Sequence, residues 1–278
     1  MLTLPRVEWR EDSQQKHQSM SCFKPISSDR FDAVLFDLDG VLTATAKIHA
    51  ACWKQMFDTF LSHYAEAQNL PFLPFDIQAD YNLYVDGKSL YDGVRSFLES
   101  RRIYLQEGSP AALADWETIC GLGNRKNAVV NQVIAADGVE AFPGTVALAQ
   151  YVRQIGMKTA VVTPSTNCEL VLQSAGIIGL LDVRVDGNVA AQEHLAGKPA
   201  PDLFLAAAQK LEVHPSRAVV IEDAISGVQS GRAGNFGLVI GVDRRGHGDL
   251  LKENGADIVL TDVGELLGPE EHTSGLHS

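Results

Sequence analysis

Asp37 and Asp39, with Gly40 directly behind them, follow the apolar run Ala33-Val34-Leu35-Phe36. The run reads as a short strand buried on both faces, the kind found in parallel sheets. The two carboxylates then stand at its C-terminal edge, where open α/β sheets bind their ligands. Along an extended chain, side-chain alternation turns Asp37 and Asp39 one way and Leu38 the other. Two carboxylates aimed into one crevice repel each other unless they share a cation. A divalent metal is the first candidate.

Three further strand ends carry polar residues. The segment "KTAVVTPSTN" ends in Thr163, with Ser165 and Asn167 behind it. The segment "AGKPAPDLF" puts Lys198 in a loop that enters a helix, and "AVVIEDAISGV" ends in Glu222-Asp223. In a parallel sheet all of these reach the edge that carries Asp37 and Asp39. Hard oxygen ligands, completed by waters and a phosphate oxygen, suit Mg²⁺. Asp37 and Asp223 are its natural ligands, and the Leu38–Asp39 region offers a backbone carbonyl. A carboxylate neutralised by Mg²⁺ can approach an anionic phosphorus and form an aspartyl phosphate. Lys198 and the Thr163 hydroxyl would balance charge on the transferring oxygens. Asp39 would move a proton on the attacking or leaving oxygen. Taken singly, an acidic turn before glycine is common, an acidic pair suits a helix N-terminus, and a lone lysine suits a solvated surface. The set, in this order and at strand ends, argues for phosphoryl transfer. The "DLDG" stretch lacks the further ligands and closing Glu of an EF-hand.

The elements that must position these groups follow from periodicity. Residues 43–67 have helical spacing, with Ile48, Cys52, Met56, Phe57 and Phe60 on one face. Helical pieces continue to about residue 139, broken at Pro71, Pro74, Gly87 and an "EGSP" turn, with no convincing strand. From Phe142 onward helices alternate with apolar strands, which predicts a doubly wound parallel sheet of the α/β class. The expected organisation is a polar N-terminal extension over 1–30 and a core from 31–46 and 140–264. A helical cap over 47–139 is inserted after the first strand, and a tail covers 265–278.

With 35 Asp and Glu against 23 Lys and Arg, the net charge of −12 is the opposite of a nucleic-acid binder's. No apolar run reaches the roughly 20 residues that span a bilayer, and the start of the chain has no apolar signal core. The four cysteines form no C-x-x-C pair, which fits reduced thiols. The expectation is a monomeric cytoplasmic enzyme acting on a small molecule, with no nucleic-acid or membrane partner.

The pieces "FDLDGVLT", Thr163 after "AVV", "GKPAPDLF" and "IEDAISGVQSG" occur in that order, with "KIHAACW" and "GLGNRKN" in the helical segment. Together they resemble the haloacid dehalogenase superfamily of phosphotransferases, more narrowly its β-phosphoglucomutase-like branch, over about residues 31–263. The resemblance implies a Rossmann-like core with an inserted cap and Mg²⁺ as cofactor. It makes Asp37 the nucleophile, Asp39 the general acid/base, and assigns Thr163 and Lys198 to the phosphoryl group. Asp223 becomes a metal ligand beside Asp37, Asp39 and the Leu38 carbonyl, with Glu222 at or next to the metal. It places His49 at a hinge, where it meets Asp39 when the cap closes, and turns Arg125, Lys126 and Asn127 towards substrate. Trp53, Ser165 and Asn167 complete the expected substrate contacts.

The implied reaction interconverts β-glucose 1-phosphate and glucose 6-phosphate; the alternative is a sugar-phosphate phosphatase. Three positions depart from the family pattern. Ala44 stands where relatives have an acid, Thr166 where they have a lysine, and Leu90 near the cap arginine that grips the far phosphate. The last departure leaves that grip to Lys88, Arg95, Arg125 or Lys126. A dehalogenase would need neither Mg²⁺ nor Asp39.

Overall fold

A computed structural model describes residues 26–267 except 112, 115 and 116. Most of the expected N-terminal extension and C-terminal tail, with Cys22, lies outside the described residues. Among the described residues six strands are formed: β1 (Ala33–Phe36), β2 (Lys158–Val162), β3 (Val183–Val185), β4 (Ala218–Glu222), β5 (Leu238–Val242) and β6 (Ile258–Leu260). They lie in the order β3-β2-β1-β4-β5-β6, every neighbouring pair parallel. Phe36 sits level with Val161 on one side and Ile221 on the other. The ends of β1, β2 and β4 therefore open at one height, beside the point where the strand order reverses. That is where doubly wound sheets bind ligands.

Nine α-helices complete the described fold: α1 (Ala46–Gln68), α2 (Leu90–Ser100), α3 (Ile119–Asp137), α4 (Pro143–Gln154), α5 (Cys168–Ser174), α6 (Gly187–Glu193), α7 (Asp202–Lys210), α8 (Ile225–Ala233) and α9 (Gly248–Glu253). Each residue of β1 is buried, and alternation sends them into two cores. Val34 and Phe36 pack with Leu148 and Val152 of α4 and Leu172 of α5. Ala33 and Leu35 pack with Phe204 of α7, Val228 of α8 and Leu251 of α9. The sheet is thus covered on both faces, which is why its strands read as unbroken apolar runs.

Helices α1, α2 and α3, with a π-helical turn over Tyr81–Val85, are inserted between β1 and α4. They enclose a third core built on Phe57, Phe60, Phe75, Phe97 and Leu122. Phe57 stacks on Trp53 and Phe75, each at 5.3 Å between centroids, and lies 4.2 Å from Phe97. A fully buried Phe contributes roughly 1.5–3 kcal/mol over an exposed one, so the insert has its own source of stability. The apolar face of α1 divides between cores. Ile48 and Cys52 pack towards the sheet, while Met56, Phe57 and Phe60 turn into the insert. The chain enters and leaves the insert along paired segments, with Thr43 opposite Ala141 and the Ala44 N–H donating to the Glu140 carbonyl at 2.9 Å. Cys52, Cys120 and Cys168 are buried free thiols. Among the described residues no helix is long and apolar enough to cross a membrane.

Candidate active site

Strand β1 ends at Phe36, and the Asp37 N–H still donates to the Ile221 carbonyl at 2.9 Å. The chain then folds into a turn, so Asp37 and Asp39 reach one crevice through that turn and not through continued strand alternation. Gly40 makes the turn possible. Its φ of +97° disfavours a side chain, and a Cβ there would overlap the Asp223 carboxylate. The Leu38 carbonyl, expected as a metal ligand, accepts from Leu42 N at 3.1 Å, Thr43 N at 2.9 Å and Thr43 Oγ1 at 3.1 Å. Three donors commit it to the turn, so the expectation that it serves as a ligand is corrected.

Lys198 lies at the centre of the site with a fully buried side chain. Its Nζ donates to Asp37 Oδ1 at 2.6 Å, Glu222 Oε1 at 2.5 Å and the Val162 carbonyl at 3.2 Å, and sits 5.0 Å over the Phe204 ring. Glu222 gives its other oxygen to the Ala224 N–H at 2.9 Å. Both Glu222 oxygens are engaged, and a Cβ on Gly227 would collide with them. Glu222 therefore fixes the lysine as well as standing beside Asp37. The two carboxylates outweigh burial and hold the Lys198 ammonium above its ordinary range.

Asp37, Glu222 and Asp223 are all buried and present carboxylate oxygens within 4.8 Å of one another. Burial pushes the Asp37 and Asp223 carboxyls well above the usual carboxylate range, with neighbouring acids adding to the effect. An all-oxygen, charge-dense cluster of this kind fits a hard divalent cation.

The insert closes the crevice from above. Asp39 Oδ1 accepts from the Thr45 hydroxyl and lies 3.4 Å from His49 Nε2. His49 Nδ1 is 2.7 Å from Lys126 Nζ, which sits 4.9 Å over the Trp53 ring. Burial and the Lys126 charge push His49 down to about 4, and burial pushes Lys126 down to about 8. At neutral pH the imidazole is uncharged. It accepts from the lysine through Nδ1 and presents Nε2–H to Asp39. The walls leave a cavity of about 60 Å³, room for a few waters.

Of the other expected contacts, Trp53, Lys88, Lys126 and Ser165 line this crevice, as do Leu90 and Thr166. Thr163 lies buried at the end of β2 with its hydroxyl accepting from the Ser165 N–H at 3.1 Å. Asn167 stands back from the wall and ties core to insert through Asn127 at 2.7 Å. Arg95 faces away, paired with Asp92 at 2.6 Å and Glu107 at 2.8 Å. Arg125 turns its Nε to the Ala114 carbonyl. These two arginines do not line the cavity, which narrows the cationic candidates to Lys88 and Lys126. Sequence reading missed Arg245, Asp86 and Tyr81, which surround Asp223. No motif announces them.

A model of the haloacid dehalogenase-like hydrolase family matches residues 31–235, well over half of the chain. The chain belongs to that family. It is 48% identical over 242 residues to a β-phosphoglucomutase of Mycobacterium tuberculosis, a match covering 86% of this chain and 92% of the relative. It is 28% identical over 212 residues to a fructose-1-phosphate phosphatase of Escherichia coli, covering 76% and 96%. A solved β-phosphoglucomutase of Clostridium difficile shares the fold with a TM-score of 0.65 at 24% identity, over 87% of this chain and 97% of that one. This haloacid dehalogenase-type protein is an enzyme, a phosphotransferase or a phosphatase.

Proposed function

We propose that the enzyme is a Mg²⁺-dependent β-phosphoglucomutase that passes a phosphoryl group through Asp37. The observation that carries this reading is the meeting of insert and core at Asp39. A neutral His49 backed by Lys126 reaches Asp39, which stands beside the buried Asp37–Lys198–Glu222 set. A mutase needs such closure, because water must not reach the phosphoenzyme before the sugar does. The 48% identity to a mycobacterial β-phosphoglucomutase supports the same substrate class.

In this reading Asp37 attacks the phosphorus of a sugar bisphosphate or monophosphate and forms an aspartyl phosphate. Asp39 protonates the departing sugar oxygen and later takes the proton from the attacking hydroxyl. Lys198 and the Thr163 hydroxyl stabilise charge on the transferring oxygens. Asp37, Asp223 and the Asp39 carbonyl would hold Mg²⁺, which neutralises charge so that carboxylate and phosphate can meet. In this reading the insert swings away to admit a sugar phosphate and closes over it again.

Asp39→Asn is expected to keep metal affinity while turnover at saturating Mg²⁺ falls by about 10²–10⁴. Steady-state rates beside calorimetric Mg²⁺ titration decide it. Collapsed metal affinity with surviving turnover would show that the Asp39 side chain is a ligand and not the proton carrier.

The second reading, a sugar-phosphate phosphatase, is favoured by one observation. Leu90 lines the crevice where the family resemblance implies a phosphate-gripping arginine. Single alanine variants of Lys88 and Lys126 separate the two. A charge-assisted bond to phosphate is worth roughly 1.5–3 kcal/mol, so losing the responsible lysine should lower mutase turnover about 10- to 100-fold. Hydrolysis of p-nitrophenyl phosphate should be spared, because its leaving group needs neither a cap cation nor a proton. If both activities fall together in each variant, or neither falls, these lysines grip no second phosphate.

A further inference from the structure

Arg245 stands on the loop after β5, outside every motif used above. The loop is fastened on both sides of it. Asp243 accepts the backbone N–H groups of Arg245, Gly246, His247 and Gly248 at 2.7–3.1 Å. Arg244 donates through Nε to the Gly40 carbonyl at 3.0 Å and lies 3.8 Å over the Phe142 ring. From this anchored base the Arg245 side chain, 24% exposed, crosses to the insert. Its guanidinium bonds Asp86 Oδ2 at 2.8 Å and Asn82 Oδ1 at 2.7 Å, and lies 4.8 Å over the Tyr81 ring. It also reaches Asp223 Oδ2 on the core at 3.3 Å.

We propose that Arg245 is a positioning residue: its guanidinium holds the insert shut by bridging Asp86 to Asp223, and it competes with the divalent cation for Asp223. This rests on the reading of Asp223 as a metal ligand. The insert side of the bridge is well built, since the Asp86 carbonyl also accepts from the Ser226 hydroxyl of α8 at 3.0 Å. Both carboxylates that the guanidinium joins are almost fully buried, at 8% and 3% exposure, so their charge depends on the cations within reach. A divalent ion on Asp223 supplies that charge and repels the guanidinium. Coupling between two sites is reciprocal. Whatever closure gains from Arg245, cation binding must therefore overcome, and cation binding frees the insert for substrate entry.

The test compares the native enzyme with Arg245→Gln, Arg245→Lys and Asp223→Asn. Mg²⁺ affinity is measured by calorimetry, and the radius of gyration by X-ray scattering with and without Mg²⁺. Arg245→Gln is expected to bind Mg²⁺ about tenfold tighter and to be expanded already without it. The native enzyme should expand only on adding Mg²⁺, and Arg245→Lys, which keeps the charge, should stay close to native. Unchanged affinity, unchanged scattering, or a change in one without the other in Arg245→Gln overturns the linkage. If Asp223→Asn loses Mg²⁺ while Arg245→Gln behaves as native, the linkage alone fails. If Asp223→Asn binds Mg²⁺ as well as native, the metal-ligand reading fails and takes the competition with it.

Discussion

An Asp37→Asn enzyme is expected to lose turnover by about 10⁴-fold or more and to form no phosphoenzyme. An amide has no anionic oxygen to attack phosphorus, and when the nucleophile is lost only binding and charge stabilisation remain. The fold should survive. Lys198 keeps Glu222 at 2.5 Å and the Val162 carbonyl, and the asparagine oxygen can still accept from the ammonium. Intact mass after mixing with glucose 1,6-bisphosphate and Mg²⁺ reads the outcome. One phosphoryl group is expected on the native protein and none on the variant. A phosphorylated Asp37→Asn protein would place the nucleophile elsewhere.

The second large effect is expected at Lys198. Lys198→Met keeps the length of the side chain and its contact with Phe204 but deletes the charge shared by Asp37 and Glu222. Breaking a buried ion pair from one side costs roughly 3–5 kcal/mol, a large part of the roughly 5–15 kcal/mol that holds a domain folded. Turnover should fall about 10²–10³-fold through lost charge stabilisation. The pH dependence has a definite sign. Burial already raises the Asp37 carboxyl, and losing the lysine removes the nearby charge that opposes that rise. A carboxyl whose folded pKa lies above its unfolded value contributes stability at low pH and loses it as pH rises through the folded value. Relative to native, the variant should therefore be weakest at neutral pH and recover on acidification, read as denaturant midpoints at pH 5 and pH 8. A deficit that is the same at both values would mean that the lysine does not govern the charge of this cluster.

The strands that carry the site were legible because each is short, apolar and buried on both faces. Ala33–Phe36 forms the strand its composition predicts, and the segments ahead of Thr163 and containing Glu222 follow suit. Strand β6 is harder to read from sequence. Ile258–Leu260 is only three residues long and half-buried at the sheet edge, so it offers neither a run nor an alternation. Helices α6 and α9 span seven and six residues, below the length at which helical spacing stands out.

The site was legible in its types and less so in its geometry. Extrapolating alternation past Phe36 put Asp37 and Asp39 in one crevice, which is where they lie, but the chain gets there by turning at Gly40. The resemblance put a metal ligand at the Leu38 carbonyl, whereas the Thr43 backbone and hydroxyl claim it. Among the cap cations, composition could not rank Lys88, Arg95, Arg125 and Lys126, because ranking depends on which neighbours claim each one. Asp92 and Glu107 take Arg95 out of contention, and the Ala114 carbonyl takes Arg125. Arg245 was invisible for a related reason. It sits in a polar loop, and its carboxylate partners lie 159 and 22 residues away along the chain.

The most direct measurement is the product formed by the native protein from β-glucose 1-phosphate, with Mg²⁺ and a catalytic amount of glucose 1,6-bisphosphate. Glucose 6-phosphate should accumulate with little inorganic phosphate if, as proposed, closure over Asp39 keeps water from a phosphoenzyme on Asp37. Release of inorganic phosphate in step with free glucose, and no glucose 6-phosphate, would contradict the mutase and leave a phosphatase.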